Sequence, residues 1–226
     1  MKLVMKGIET ILDCAQNQIC TVVIENQKLF YEVVEDIERQ IQGLEGESVL
    51  SENNQILKMD KYAEQLMQFI PFDLNKKSLI SRITSYMQKI AADEIHYEKT
   101  SEFLAAWEKF CMDLEFDLPV GIEFTKINID ALLKASGIMI SDDYDSLAEK
   151  ILDYIHLVEY FECKKLFILV NIRSFVENEE MQKFVDTVLA RGYQIVLLDN
   201  KEYPLLKNEK RCLIDTDMCE ICYNYS

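Results

Sequence analysis

Residues 21–24 read TVVI, a short β-branched run that points straight through Glu25-Asn26-Gln27-Lys28 into the amphipathic stretch 29–41. No glycine stands between the strand and the helix. In a phosphate-binding α/β protein this corner carries a glycine-rich loop, because glycines let backbone N–H groups close on phosphates at the helix N-terminus. Here the corner reads ENQKLFYE. Lys28 has the right charge, but no glycine and no Ser/Thr pair accompanies it. The chain therefore looks like a nucleotide-binding α/β domain without the parts that hold a nucleotide.

Outward from that corner, strand and helix signals alternate to about residue 70. A turn falls at 43–46, and short strands at 47–50 and 55–58 flank the polar turn 51–54. Residues 62–70 (YAEQLMQFI) read as a helix ended by Pro71. The alternation returns later. Asn128 caps a helix over 129–135, and Gly137 ends it. Residues 138–140 read as a strand, and Ser141, Asp142, Asp143 and Asp145 put acid at the start of a helix to Phe161, as the helix dipole prefers. LFILV (166–170) and YQIVLL (193–198) are apolar runs of strand length, separated by a helix over 181–191. Continuous apolar strands alternating with helices predict an α/β head with a mostly parallel sheet covered on both faces. We assign 1–70 and 123–226 to this head.

The middle follows another rule. Leu79, Ile80, Ile83, Tyr86, Met87, Ile90 and Ala91, and then Leu104, Trp107, Phe110, Cys111 and Leu114, keep the spacing of one helix face. A polar joint, 93–101, separates the two sets. Residues 71–122 therefore read as a helical extension, an antiparallel helix pair.

Bulk numbers bound the function. A chain of 226 residues with 49% hydrophobic content supports one large domain, or a domain plus an appendage. Six glycines and three prolines favour long helices over a turn-rich all-β plan. The net charge of −16 argues against a general polyanion binder. It leaves room for a local basic groove, since charges are screened over roughly 8 Å at physiological salt. Seven cysteines are an odd count, and the opening residues, with Lys2, Lys6 and Glu9, do not read as a secretory leader. The expectation is a cytoplasmic protein with reduced thiols. No apolar run reaches the ~20 residues needed to span a bilayer.

In a parallel sheet, function sits at the strands' C-terminal ends. These ends hold Glu25, Asn26 and Lys28, then Asn171 and Arg173, then Asp199. Phosphoryl transfer would want an acid after LFILV to hold magnesium, and the sequence offers Asn171. The reading is a degenerate cleft, with no catalytic residue assigned. His96 and His156 are the only histidines, and no nucleophile elbow accompanies them. Cys219 and Cys222 have CxxC spacing, but in a terminal strand their side chains face opposite sides, which weakens a zinc reading. Asp113, Glu115 and Asp117, with Glu123 nearby, could line one face of an extended segment and offer oxygens to a hard cation. They read equally as a solvated acidic linker. Lys76-Lys77 with Arg82, Lys164-Lys165, and Lys207 with Lys210-Arg211 are small basic groups of the kind usually found on solvated surfaces.

Taken together, VVIENQKLFYEVVEDIERQI (22–41), VLSENNQILKMDK (49–61), IDALLKASGI (129–138), DYDSLAEKILDYIHLVEYF (143–161), KLFILVNIRSF (165–175) and LIDTDMCEI (213–221) resemble the CRISPR-associated spacer-acquisition family of type II-A systems. IENQKLF and KLFILVN are the most specific pieces. The resemblance implies an α/β head similar to P-loop ATPases without nucleotide binding, plus a helical extension. It implies a homotetrameric ring with double-stranded DNA passing through its hole and Ca2+ supporting the ring. It also implies work alongside CRISPR integrase proteins and the effector nuclease, and no catalysis. Glu123 matches the first of the family's calcium acids, whereas Thr125 and Lys126 stand where further acids are usual. Calcium binding is therefore weakened here, or shifted toward Asp113, Glu115 and Asp117. Lys28, Lys134 and Arg173 lie in segments that would face DNA. The competing class is a metal-dependent ATPase or nuclease using the acidic cluster.

Overall fold

The computed structural model describes residues 1–14, 18–116, 118–123 and 127–224. It divides into a head, Met1–Phe72 with Asp143–Ser226, and a helical unit, Asp73–Asp142.

The head opens with β1 (Lys2–Val4), β2 (Leu12–Asp13), β3 (Ile19–Ile24), α1 (Gln27–Ile41), β4 (Val49–Glu52), β5 (Gln55–Leu57), α2 (Met59–Tyr62) and β6 (Ala63–Leu66). The helical unit holds α3 (Lys77–Ala91), α4 (Tyr97–Glu115) and α5 (Ile129–Ala135). The chain returns to the head with α6 (Leu147–Glu162), β7 (Leu166–Val170), a 3-10 turn at Ile172–Ser174, α7 (Asn178–Arg191), β8 (Gln194–Asp199), β9 (Glu209–Ile214) and β10 (Glu220–Asn224).

The head is α/β. Its main sheet runs β10-β9-β3-β8-β7-β6, parallel throughout except for the antiparallel edge strand β10. Every residue of β3 and β7 is buried, which is why both read as unbroken apolar runs rather than alternating ones. A second, antiparallel sheet runs β2-β1-β4-β5. α1 buries Leu29, Val33 and Ile37, one stripe at four-residue spacing, and these join the core formed by Val22, Ile168 and Val196.

A buried acid closes the loop after α1. Asp36 accepts hydrogen bonds from the Glu47 N–H (2.7 Å), the Ser48 N–H (2.8 Å) and Gln40 Nε2 (3.0 Å). The backbone comes so close that a Cβ on Gly46 would sit 2.6 Å from Asp36 Oδ1. Burial acts to raise the Asp36 pKa, but these hydrogen bonds outweigh it and hold the carboxyl below its ordinary value.

Three readings of the sequence change. Residues 62–70 do not form a helix: 63–66 are β6, an edge strand parallel to β7. Sheet pairing overrides a weak helical period there, and Lys164 secures the corner. Its ammonium is buried and donates to the carbonyls of Asp60 (2.6 Å) and Ala63 (2.9 Å). Residues 138–140 are not a strand. The Asn75 side-chain amide takes the place of a strand partner, accepting from the Ile140 N–H (2.7 Å) and donating to its carbonyl (3.3 Å). Asp142, Asp143 and Asp145 precede α6, which Ser146 caps by accepting from the Glu149 N–H. The stretch 123–142 was expected in the head, but its described residues group with the helical unit, where α5 packs on α3. The two long helices of that unit are α3 and α4, and α4 has no buried residue.

Candidate functional site

The parallel strands bring β3, β7 and β8 side by side, and their C-terminal ends define the edge where a nucleotide domain binds phosphate. At the end of β3, Asn26 caps α1. Its Oδ1 accepts from the Leu29 N–H (3.0 Å), and its Nδ2 donates to the Thr216 carbonyl (3.0 Å). A donor that phosphate would require is thus used by the chain itself.

The end of β7 is tied to β8. Asn171 adopts a left-handed conformation (φ 56°), its N–H donates to the Leu198 carbonyl (2.8 Å), and its Oδ1 accepts from the Asn200 N–H (2.9 Å). The 3-10 turn that follows swings Arg173 inward. The Arg173 side chain is only 2% exposed, with Nη1 at 3.8 Å from Glu209 Oε1 and 4.0 Å from Asp199 Oδ2. Nη2 donates to the Pro204 carbonyl, and the guanidinium lies 5.0 Å from the centre of the Tyr203 ring. Arg211 completes the cluster: its Nε donates to Glu209 Oε1 (2.7 Å) and its Nη1 to the Tyr203 carbonyl (2.7 Å).

Asp199 is the acid that ends the strand beside β3, level with Val23. A metal-dependent phosphoryl site would use such a carboxylate. Here it is fully buried, and neither oxygen has a hydrogen-bond partner among the described residues. Its pKa is raised to about 7: burial pushes it up most, Arg173 pulls it down, and Glu209 pushes it up again. Burial also lowers the Arg173 pKa, against the opposing pull of Glu209 and Asp199. The two cations and two acids of this cluster face one another rather than a ligand.

The residues singled out from the sequence fare differently. Arg173 was expected to contact DNA. It is buried in this ionic cluster and presents no charge to a duplex. Lys28 stays at the open corner, 87% exposed, with Nζ 3.8 Å from Glu32. Lys134, on α5, is also exposed, but its Nζ lies 2.7 Å from Asp130 Oδ2. Of the acids, Asp113 and Glu115 lie in the last turn of helix α4, not on an extended segment. Two residues apart on a helix, they point to different faces. Glu115 Oε1 accepts from the Ile122 N–H (3.3 Å), and Glu123 is exposed. Asp117, Thr125 and Lys126 lie outside the described residues. No three acidic, His or Cys side chains among the described residues gather into a group that could hold a metal.

Cys222 does not join Cys219 in a zinc site; it faces Cys212 across the strand pair. His96 Nδ1 lies 2.9 Å from Asp93 Oδ1 in the turn before α4, and His156 Nδ1 lies 2.9 Å from the Tyr193 hydroxyl. Glu209 was not singled out, and Arg211, read with Lys210 as a solvated basic group, is buried instead. Opposite charges two residues apart in EKRCLI share one face of a strand, and that was the available signal.

α4 carries the other unusual surface. Phe103, Trp107, Phe110 and Leu114 are all exposed, and the Trp107 and Phe110 rings lie 6.1 Å apart. Among the described residues, no helix is long and apolar enough to cross a membrane.

Comparison with known proteins bears on the chain as a whole. The family model described as CRISPR-associated protein (Cas_Csn2) matches residues 40–218. Two curated relatives are each described as CRISPR-associated protein Csn2. The one from Enterococcus faecalis is 23% identical over 139 residues, covering 62% of this chain and 53% of the relative. The one from Streptococcus agalactiae is 26% identical over 145 residues, covering 64% and 60%. The matched stretch thus spans between half and three-fifths of those relatives. A Pyrococcus furiosus protein described as an ABC transporter ATP-binding protein superposes with a TM-score of 0.41 at 9% identity, covering 93% of this chain and 97% of its own, a likeness too loose to carry an inference. With most of its length matched by the family model, the chain belongs to the Cas_Csn2 family of CRISPR-associated proteins.

Proposed function

We propose that this protein is a non-catalytic, double-stranded-DNA-binding ring of identical copies that acts in acquiring new CRISPR spacers. The observation that carries the reading is α4. It has 19 residues, none of them buried, and an apolar stripe of Phe103, Trp107, Phe110 and Leu114. Isolated helices are marginal in water unless an apolar face is packed, and exposed apolar patches mark interaction surfaces. A second copy of the chain is the occupant in this reading, and a closed ring of four satisfies all copies equally.

DNA would be held through phosphates, without base readout. Lys28 is the exposed cation at the strand-end corner, while the overall charge of −16 disfavours DNA on the remaining surface. The self-capped corner at Asn26 and the occlusion of Asp199 by Arg173 favour this over the competing class, a metal-dependent ATPase or nuclease. The integrase proteins and effector nuclease of the same system are the proposed partners.

Solution mass, followed by titration with a short linear duplex at rising salt, tests this reading. The expected result is a multimer whose DNA affinity falls steeply with salt and varies little with sequence. A protein that stays single and leaves the duplex free at low salt would overturn it.

A further inference from the structure

The C-terminal edge of the main sheet carries a pair of thiols that the proposed function does not use. Cys212 and Cys222 are directly opposed in the antiparallel β9–β10 pair, and their sulfurs are 2.8 Å apart. Directly opposed residues bring their Cβ atoms to about 4.5–5.5 Å, close to the ~3.5–4.5 Å a disulfide spans. The two thiols differ in access: Cys212 is buried and Cys222 is exposed. Thr10 Oγ1 lies 3.3 Å from Cys222 Sγ. Next to it, Glu220 accepts from the N–H groups of Glu9 and Thr10, fastening the N-terminal loop to the same edge strand. The remaining cysteine of the CxxC spacing, Cys219, precedes β10 and is exposed.

We infer that Cys212 and Cys222 are an oxidisable cross-strand dithiol, a modification site that takes a small-molecule disulfide such as oxidised glutathione as co-reactant. The Cys222 thiolate attacks one sulfur of the co-reactant, the S–S bond breaks, and one glutathione thiolate leaves. The Cys212 thiolate then attacks the Cys222 sulfur of the mixed disulfide, and the second glutathione leaves. Two protein thiols are oxidised to one disulfide, the co-reactant is reduced to two thiols, and the two cysteine protons pass to solvent or to the leaving thiolates. Access sets the order. Burial, together with the contact with Cys222, pushes the Cys212 thiol up to about 12, so it is the slower, resolving partner. The product bolts the outermost strand, and through Glu220 the N-terminal loop, onto the sheet.

This inference does not depend on the DNA-binding proposal. The test uses the full chain, incubated with oxidised or with reduced glutathione, then denatured, alkylated with iodoacetamide and mapped by mass spectrometry. The reduced protein should take up alkyl groups on all seven cysteines and the oxidised protein on five, with a Cys212–Cys222 link and an alkylated Cys219. Cys219→Ser should still form the link, and Cys222→Ser should form neither link nor mixed disulfide on this strand. Hydrogen exchange of the β10 amides should slow in the oxidised form. Full alkylation of Cys222 after oxidation, a Cys219–Cys222 link, or a glutathione adduct that never resolves would each overturn the proposal.

Discussion

Arg173 Nη1 and Asp199 Oδ2 face each other at 4.0 Å inside the head, and neither atom has a hydrogen-bond partner among the described residues. Arg173 comes from the turn after β7 and Asp199 from the end of β8, so the pair fills the place where a nucleotide domain would hold its metal acid. Removing the cation leaves Asp199 buried without the charge that faces it, while Glu209 keeps Arg211 Nε at 2.7 Å. Arg173→Ala should therefore cost about 3–5 kcal/mol of unfolding free energy. Exposed Lys28→Ala should stay within ~0.5 kcal/mol. Urea denaturation of the two variants checks this: equal midpoints would mean Arg173 is not buried against its acids.

The same pair predicts a pH dependence. Burial raises the Asp199 pKa to about 7, so the folded state holds a proton that the unfolded state has released. A raised carboxyl pKa gives stability that is present below the unfolded value, near 4, and lost as pH rises through the folded value. Between about pH 4 and 7 the group should remove up to ~4 kcal/mol, an upper bound set by the shift. Arg173, Glu209 and Arg211 are the charged groups that face this carboxyl. In Asp199→Asn this contribution to the slope should vanish. A stability difference between variant and parent that is constant from pH 5 to pH 8 would rule the assignment out.

Asp36 works in the opposite direction. Its hydrogen bonds to the Glu47 and Ser48 amides hold its pKa low. A depressed carboxyl pKa gives stability that is present above the unfolded value and lost as pH falls through the folded one. Asp36→Ala should cost about 1–3 kcal/mol at neutral pH by leaving two backbone donors unpaired. Part of that penalty should fade in acid. Gly46→Ala should be destabilising for a different reason, since its Cβ would meet Asp36 and Gln40 at under 3 Å. Thermal midpoints across pH separate the two: the Gly46→Ala penalty should persist in acid.

Much of this architecture was legible because apolar runs without alternation mean strands buried on both faces, and LFILV and TVVI sit inside the observed strands. The corner at Asn26 was legible because a missing glycine removes the geometry phosphate needs. β6 was not legible. Its four residues are a strand only because β7 offers them an unpaired edge, and that is a long-range fact. Arg173 and Arg211 misled for a related reason. A charged side chain reads as surface unless its partners are known, and Glu209 and Asp199 are distant from Arg173 in sequence. The acids at 113 and 115 were read as extended, whereas helix α4 continues through both, so the face they were meant to share does not form.

α4 allows the assembly proposal to be separated from folding. Trp107 and Phe110 are exposed in the single chain, so Trp107→Ser with Phe110→Ser should leave the unfolding midpoint nearly unchanged. If a second copy covers this stripe, the same substitutions expose polar atoms where an apolar partner must pack, and buried aromatic anchors at interfaces typically contribute at least ~2 kcal/mol each. The multimer should then dissociate at concentrations where the parent stays assembled, with short-duplex affinity falling alongside. Lys28→Glu should act differently, leaving assembly intact while lowering DNA affinity and flattening its salt dependence by about one unit of slope. Sedimentation velocity with and without duplex reads both effects. An α4 variant that assembles like its parent would move the copy interface off this helix, and a Lys28→Glu variant with unchanged salt dependence would remove Lys28 from the DNA path.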